Sequence, residues 1–469
     1  LLVIAIGAVL RFAGDRSSSS FVDSDQIARD KGKELAIVPG APVGQTFVAR
    51  HAGLSGIEFY LLPENSNPLS LTLHLRDDAQ STTDLATASL NLPAQAGPGF
   101  YRFGFQPADN SHARYYYAFL ETTGAGVGVG TAPGKTYLDG AAYQQHQPLD
   151  AQTSFRLAYA PAPMLLDLAV AIARWLGLLA VSVLLFVVPG WAILSWILPG
   201  ARLAWAELLG LAVGMSIVLY ATILLWARTA GLNPGSALVW ILVALGLALL
   251  LWRHRNRRPR DLRQAVRTWV NSGNLWPDLT LIAVLLLTFL VRLLVVRTME
   301  AALWADSYEH TVMTQLILDH GGLFDSWEPY SPYQSLTVHF GFSTAAAALA
   351  WMTGKTSTEA VLLTGQLMNG FAALTLYPLA VRLAKGNRWA GVGAVLVAGI
   401  LSPMPAYYVN WGRFAQLTGQ TLMPVALWLT WEAVERRGAP FRAAAGAGLV
   451  VAGMALAYYR MPFYYAAFL

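Results

Sequence analysis

Cysteine is missing from all 469 residues, which excludes disulfides, thiol chemistry and Cys-based metal sites. Charge is scarce as well. Asp, Glu, Lys and Arg make up 13% of the chain, against about 25% in an ordinary soluble domain. Hydrophobic residues reach 55% and the mean hydropathy is +0.45. That balance fits lipid as the solvent and excludes a soluble reading. The charges that remain lean positive, with net charge +5 and a pI near 9.3. They collect in a few loops, so they read as a topology signal, and no nucleic-acid partner is expected. The chain does not begin with Met and stops at Leu469 inside an apolar run, so further spans or a C-terminal domain are expected beyond it.

Crossing about 30 Å of hydrocarbon takes roughly 20 apolar residues. Runs at 165–188, 204–227, 235–252, 277–297, 359–384, 389–406, 417–434 and 443–459 meet that need, and residues 1–12 read as a truncated transmembrane helix. The fold class is therefore a polytopic α-helical membrane protein of about nine spans. As one helix the stretch 164–198 covers only about 52 Å, too little for two crossings and a turn. It predicts one span plus an interfacial piece around Trp191 and Trp196.

One loop orients the chain. Arg253, Arg255, Arg257, Arg258, Arg260, Arg263 and Arg267 lie in a short connection between spans, and the positive-inside rule puts them in the cytoplasm. Counting backwards leaves 25–160 outside, and counting forwards leaves the loop at 298–358 outside. Residues 339–353 are apolar but short. Taken as an external or half-inserted helix, they let Arg382, Lys385, Arg388, Arg436, Arg437 and Arg442 fall inside with the basic loop. The organisation is then 1–12, truncated span; 25–160, extracytoplasmic β-sandwich; 164–252, three spans; 253–275, basic cytoplasmic loop; and 277–469, a transmembrane region with its external loop. The location is a plasma or inner membrane of a cell envelope.

Between residues 30 and 160 the pattern changes to short strand-like runs such as QTFVAR, GIEFYLL, LSLTLHLR, YRFGFQP, RYYYAFLE and TSFRLAYA. Pro, Gly, Asn and Asp clusters separate them, which predicts an all-β sandwich. The pattern resembles jelly-roll domains of the galactose-binding or carbohydrate-module type. Tyr115, Tyr137 and Tyr143 are candidates to stack on a glycan, although core positions in alternating strands account for each of them better. The Gly-rich run from Gly124 to Gly134 reads as a loop without phosphate-loop spacing.

Chemistry is most concentrated in the external loop. Asp306, Glu309 and His310 form its first polar turn, followed by Asp319, His320, Asp325, Glu328 and His339. Residues 308–320 have the spacing of an amphipathic helix lying on a membrane surface. A carboxylate at the membrane edge can take a proton from an acceptor hydroxyl while a phosphate leaves the donor. A second carboxylate or a His can tune it. A divalent cation, Mg or Mn, held by Asp306 and Glu309 is left open. Arg292 sits near the outer end of a span, where a charge is expensive without a partner. Arg413 and Arg460 mark two more outer ends, and three such arginines suit a lipid phosphate. Asn410 and Gln416, with Tyr407 and Tyr408, are candidates for sugar hydroxyls, and His339 completes the substrate set.

A span ending in arginine, an external loop opening on acidic residues, surface helices and the His339-to-Gly354 segment HFGFSTAAAALAWMTG together resemble the GT-C glycosyltransferases. The resemblance covers roughly 277–469, and more weakly 165–252. It implies a polyprenyl-phosphate-sugar donor, a lipid, glycan or protein acceptor, and a catalytic acid early in the first large external loop, which falls on Asp306. Adjacent Asp-Glu is common in that family. Here Ser307 follows Asp306, and Glu309 is the nearest second carboxylate. A non-catalytic accessory subunit of a larger membrane complex is the alternative. A transporter would show internal repeats and midplane polar residues, and neither is evident.

Overall fold

The computed structural model describes residues 20–469 apart from 31, 65–66, 125, 202, 256–263, 265–266, 272, 298, 335–338 and 436–439. The expected truncated span at 1–12 lies outside the described residues, as do Arg257, Arg258, Arg260, Arg263, Arg436 and Arg437. The described chain divides into two units, one up to Ala173 and one from Arg174 onward.

The first unit is a β-sandwich of two antiparallel sheets. One runs β1(Phe21–Gln26), β13(Phe155–Tyr159), β4(Leu54–Pro63), β9(Val127–Pro133) and β12(Ala151–Thr153), with β2(Glu34–Ile37) on β9 and β7(Gly99–Ala108) on β4. The other runs β11(Gln147–Pro148), β10(Ala142–Gln144), β3(Val43–Ala49), β8(Arg114–Thr122), β5(Leu69–Arg76) and β6(Ala86–Leu92). Strand β5 shows why the sequence folds this way. Leu69, Leu71, Leu73 and Leu75 enter the core, while Ser70, Thr72, His74 and Arg76 face the other side, the period of two that one buried face demands.

One expectation is corrected here. The Gly-rich run is not a loop, because residues 127–133 form β9. Its glycines make room, since a Cβ on Gly128 would stand 2.9 Å from the Glu34 carboxylate and one on Gly130 3.2 Å from the Tyr60 ring. Tyr137 follows the core reading preferred for it. It lies in the sandwich core with its hydroxyl accepting from the Val48 amide at 3.1 Å. Tyr115 is 44% exposed, and Tyr143 packs on Tyr117 with ring centres 5.0 Å apart.

The second unit is helical. It comprises the later part of α1(Pro161–Phe186), α2(Val188–Ile197), α3(Trp205–Thr229), α4(Ser236–His254), α5(Leu275–Val295), α6(Ala305–His320), α7(Gly341–Thr353), α8(Ser357–Leu383), α9(Arg388–Leu396), α10(Ala406–Asn410), α11(Phe414–Glu435), α12(Pro440–Ala457) and α13(Met461–Ala467). Every span expected from 165 onward has a helical counterpart. Among the described residues seven helical stretches are long and apolar enough to cross a membrane, which marks an integral membrane protein. Helix α11 has 22 residues but is not among the seven.

Central α8 packs on α3, α5, α6, α7, α9 and α11. It starts with a capping box in which Thr356 Oγ1 accepts from the Glu359 amide at 3.2 Å, and the Glu359 carboxylate accepts from the Thr356 amide at 3.3 Å, so two otherwise orphaned donors are satisfied. The piece expected to be interfacial, α2, packs on α3 and α4. Gly190 fits against α3 and donates its amide to Ser216 Oγ at 2.8 Å, while Trp196 stays exposed. Helix α7 has 13 residues, about 20 Å at 1.5 Å each, too short to cross, and Gly341–Ala350 are all buried. Helix α6 does not lay its apolar face on lipid. Val312, Met313, Leu316 and Ile317 bury against Ala221, Leu224 and Leu238 of the neighbouring helices.

Candidate functional site

Arg292, near the end of α5, is the first element of the site. One guanidinium nitrogen donates to the Gly399 carbonyl at 3.1 Å, and its buried Nε has no hydrogen-bond partner among the described residues. Gly399 belongs to a π-helical turn, Val397–Leu401, that continues α9. Such turns are rare and gather at functional positions. A guanidinium carries five donors in a fixed fork, and leaving one of them buried and unused is costly unless something else fills it.

The loop between α5 and α6 supplies the second element. Trp304, just before α6, has φ +77° and ψ 156°, a region that is essentially glycine-only and costs about 1–3 kcal/mol for other residues. Ser307 closes the turn, its hydroxyl donating to the Leu303 carbonyl and its amide to Trp304 O at 3.1 Å. Against this turn lies Gly412, with φ +66°, where a Cβ would stand 2.7 Å from the Ser307 amide nitrogen. Only glycine allows that approach. The turn between α10 and α11, with Asn410 and Arg413 on either side of Gly412, is thereby docked on the turn that carries Asp306. Asp306 is exposed in the first turn of α6, where the helix dipole favours a carboxylate. Arg292, Leu303, Gln366 and Asn410 line one cleft of about 80 Å³.

The predicted residues therefore fall into separate groups. Asp306, Asn410 and Arg413 are exposed on two turns that dock through Ser307 and Gly412, Asn410 also lines the Arg292 cleft, and Glu309 is exposed one turn along from Asp306. His310 does not join them. It is buried, its ring centre 5.1 Å from that of Phe342 and 5.7 Å from that of Phe414, with Nδ1 3.5 Å from Ser343 Oγ. Burial, reinforced by His339, pushes its pKa down to about 3, so it is neutral at pH 7. Burial also lowers the pKa of His339, whose ring meets Tyr458 edge-on at 5.3 Å. Arg460 is close to that second group, donating from Nε to the Tyr459 hydroxyl at 3.0 Å. Gln416 and Gln420 both donate to the Tyr408 hydroxyl, at 3.2 and 3.1 Å.

Other charged loop residues have structural partners. Asp325 accepts from Arg228, and Asp319 from Gln315 at 2.7 Å. Among the described residues no three His, Asp or Glu side chains stand together in a way that could hold a metal ion.

Sequence reasoning missed Gln366, Ser307 and Gly412. A signal for Gln366 was present in the polar positions of the α8 segment TGQLMNG, since polar groups inside a span are expensive and mark a role. Asn369, in the same segment, is buried and donates to Pro405 O at 2.9 Å, tying α8 to the turn before α10. No protein-family model matches the chain, and no curated protein matches it. Residue chemistry alone carries the functional reading.

Proposed function

We propose that the chain is a membrane glycosyltransferase of the GT-C kind, moving a sugar from a polyprenyl-phosphate donor to a lipid, glycan or protein acceptor at the outer membrane face. The observation that carries this reading is Arg292. Its buried Nε has no partner among the described residues, Arg292 lines a cleft with Leu303, and the exposed Asp306 follows Leu303 by three residues. Phosphate is the natural occupant of such a donor, and a carboxylate beside it is the natural base.

In this reading the acceptor O–H attacks the anomeric carbon as the bond from that carbon to the phosphate oxygen breaks. Asp306 takes the hydroxyl proton, and polyprenyl phosphate leaves with the bonding electron pair. Arg292 and Arg413 hold the phosphate, with Arg460 further along the same end. Asn410, Gln416 and Gln366 are placed to orient sugar hydroxyls. Glu309 assists Asp306 or shares a divalent cation with it. The neutral, buried His310 and the half-buried His339 shape the wall behind α6, so the direct roles first expected for them pass to Asp306 and the arginines. The β-sandwich lies outside the cell and engages glycan, with Tyr115 the most accessible stacking surface.

The test is transfer from radiolabelled polyprenyl-phosphate sugars in membranes, comparing the full-length protein with Asp306→Asn and Arg292→Gln. Loss of transfer by about a hundredfold or more in Asp306→Asn, the range for a general base, with unchanged thermal stability, supports the enzyme. Equal transfer removes Asp306 from the mechanism. No transfer by the folded wild type from any donor in a broad panel assigns the chain to an accessory subunit instead.

A further inference from the structure

The end of the helical unit remote from Asp306 holds a larger cleft, of about 490 Å³, between α2, α3 and the last turn of α4. Its size falls within the range of small-molecule sites, roughly 300–1,000 Å³. The walls are mainly apolar, with Leu194, Leu198, Leu203 and Leu208 between Trp191 and Trp205, while Ser195 and Arg253 supply polar surface. Arg253 is the charged residue of the lining among the described residues, and it is exposed. Both tryptophans are partly exposed, as rings at headgroup depth are. Helix α4, which presents Arg253, is left mostly uncovered by the rest of the protein along its apolar length, as a lipid-facing helix is.

We propose that this cleft binds an anionic phospholipid, one acyl chain along α2 and α3 and the phosphate on Arg253. An apolar void open to a bilayer gains dispersion contacts when a chain fills it. The guanidinium at its mouth then selects the headgroup by charge, as basic pockets between spans do. In sequence, Arg253 begins the arginine run that continues to Arg267, so the charge at this end complements an anionic leaflet. A free phosphate would satisfy Arg253 and leave the apolar walls without purpose.

The experiment places the full-length protein in phosphatidylcholine vesicles with trace diazirine-acyl phosphatidylglycerol or, separately, trace diazirine-acyl phosphatidylcholine. After illumination, labelled peptides are mapped by mass spectrometry. The anionic probe should label peptides spanning Trp191 to Leu209 about fivefold more than the zwitterionic one, the worth of one such charge beside a lipid headgroup. Arg253→Gln should bring the two probes to parity, and Arg253→Lys should keep most of the preference. Ser195→Trp, which fills the cleft, should remove labelling by both. Equal labelling by the two probes in the wild type, or a preference that survives Arg253→Gln, overturns the proposal. So does inorganic phosphate that abolishes the anionic preference at constant ionic strength.

Discussion

The two ends of the helical unit handle charge in opposite ways. At the end where α5 begins, Asp278 is completely buried and takes bonds from Arg388 at 2.7 and 2.8 Å and from Trp269 Nε1 at 2.7 Å. Nearby, Arg382 bonds Glu432 at 2.9 Å and Glu435 at 2.7 Å, with Trp428 and Trp431 against its guanidinium. At the other end Arg292, among the described residues, bonds the Gly399 carbonyl and keeps a buried donor unused, while Asp306, Glu309 and Arg413 stand exposed. A charge whose bonds are filled by the protein is part of the fold. A charge held at a cost with its bonds unfilled is directed at something else.

The sharpest way to break this comparison is at Asp278. Replacing it with Ala strands the Arg388 guanidinium, and removing one partner of a buried pair costs about 3–5 kcal/mol. Thermal unfolding in detergent should show a large fall in Tm. A loss no larger than that of a rim variant would mean the paired end is not what holds the helices. Next in size is Gly412→Ala. Its φ of +66° and the crowding on Ser307 predict a loss of about 1–3 kcal/mol, as for other strained backbone positions. If the proposed reaction is right, displacement of the Asp306 turn also lowers transfer by about a hundredfold, the cost of misplacing reacting groups by an ångström. Full transfer in Gly412→Ala would separate that turn from the chemistry.

His310 sharpens the comparison through pH. Its folded pKa is lowered to about 3 by burial, below the ordinary value near 6.5. Between those values the unfolded chain binds a proton that the folded chain refuses. Stability is therefore fully present above about pH 6.5 and falls as pH drops, by about 1.4 kcal/mol per pH unit for one such group. The lowered pKa of His339 adds loss of the same sign. His310→Gln should flatten the acid limb of a Tm-against-pH curve. An unchanged limb would show that His310 is not buried as a neutral ring.

The apolar helices were legible because roughly 20 lipid-soluble residues in a row have few other uses, and β5 was legible from its alternation alone. The Gly-rich run misled because glycine signals either a turn or close approach of a neighbour, and β9 uses it for the second beside Glu34 and Tyr60. Asp306 and His310, four residues apart on α6, suggest one shared face. The helix instead ends at a surface and buries its next turn, so one is exposed and the other enclosed. The docking of Gly412 on Ser307 could not be read from sequence. It joins two turns far apart in the chain, and neither carries a mark of the other. The orphaned Nε of Arg292 depends on the π-turn at Gly399 in the same way, although the cost of an arginine inside a span did single the residue out.

The smallest expected effect belongs to Arg413. Its guanidinium lies over the Trp411 ring at 5.4 Å and is exposed, a contact worth about 0.5–1 kcal/mol at most. Arg413→Gln should therefore move stability by about 0.5 kcal/mol or less, like other surface changes. Its effect on transfer is the more telling measurement. A rim arginine that holds the donor phosphate equally before and during reaction contributes uniform binding, so KM rises several-fold while kcat stays the same. Arg292 lies in the cleft itself and should lower kcat when changed. If Arg413→Gln lowers kcat as much as Arg292→Gln does, the rim and the cleft act on the reacting phosphate together, and the exposed and buried arginines at this end form one site.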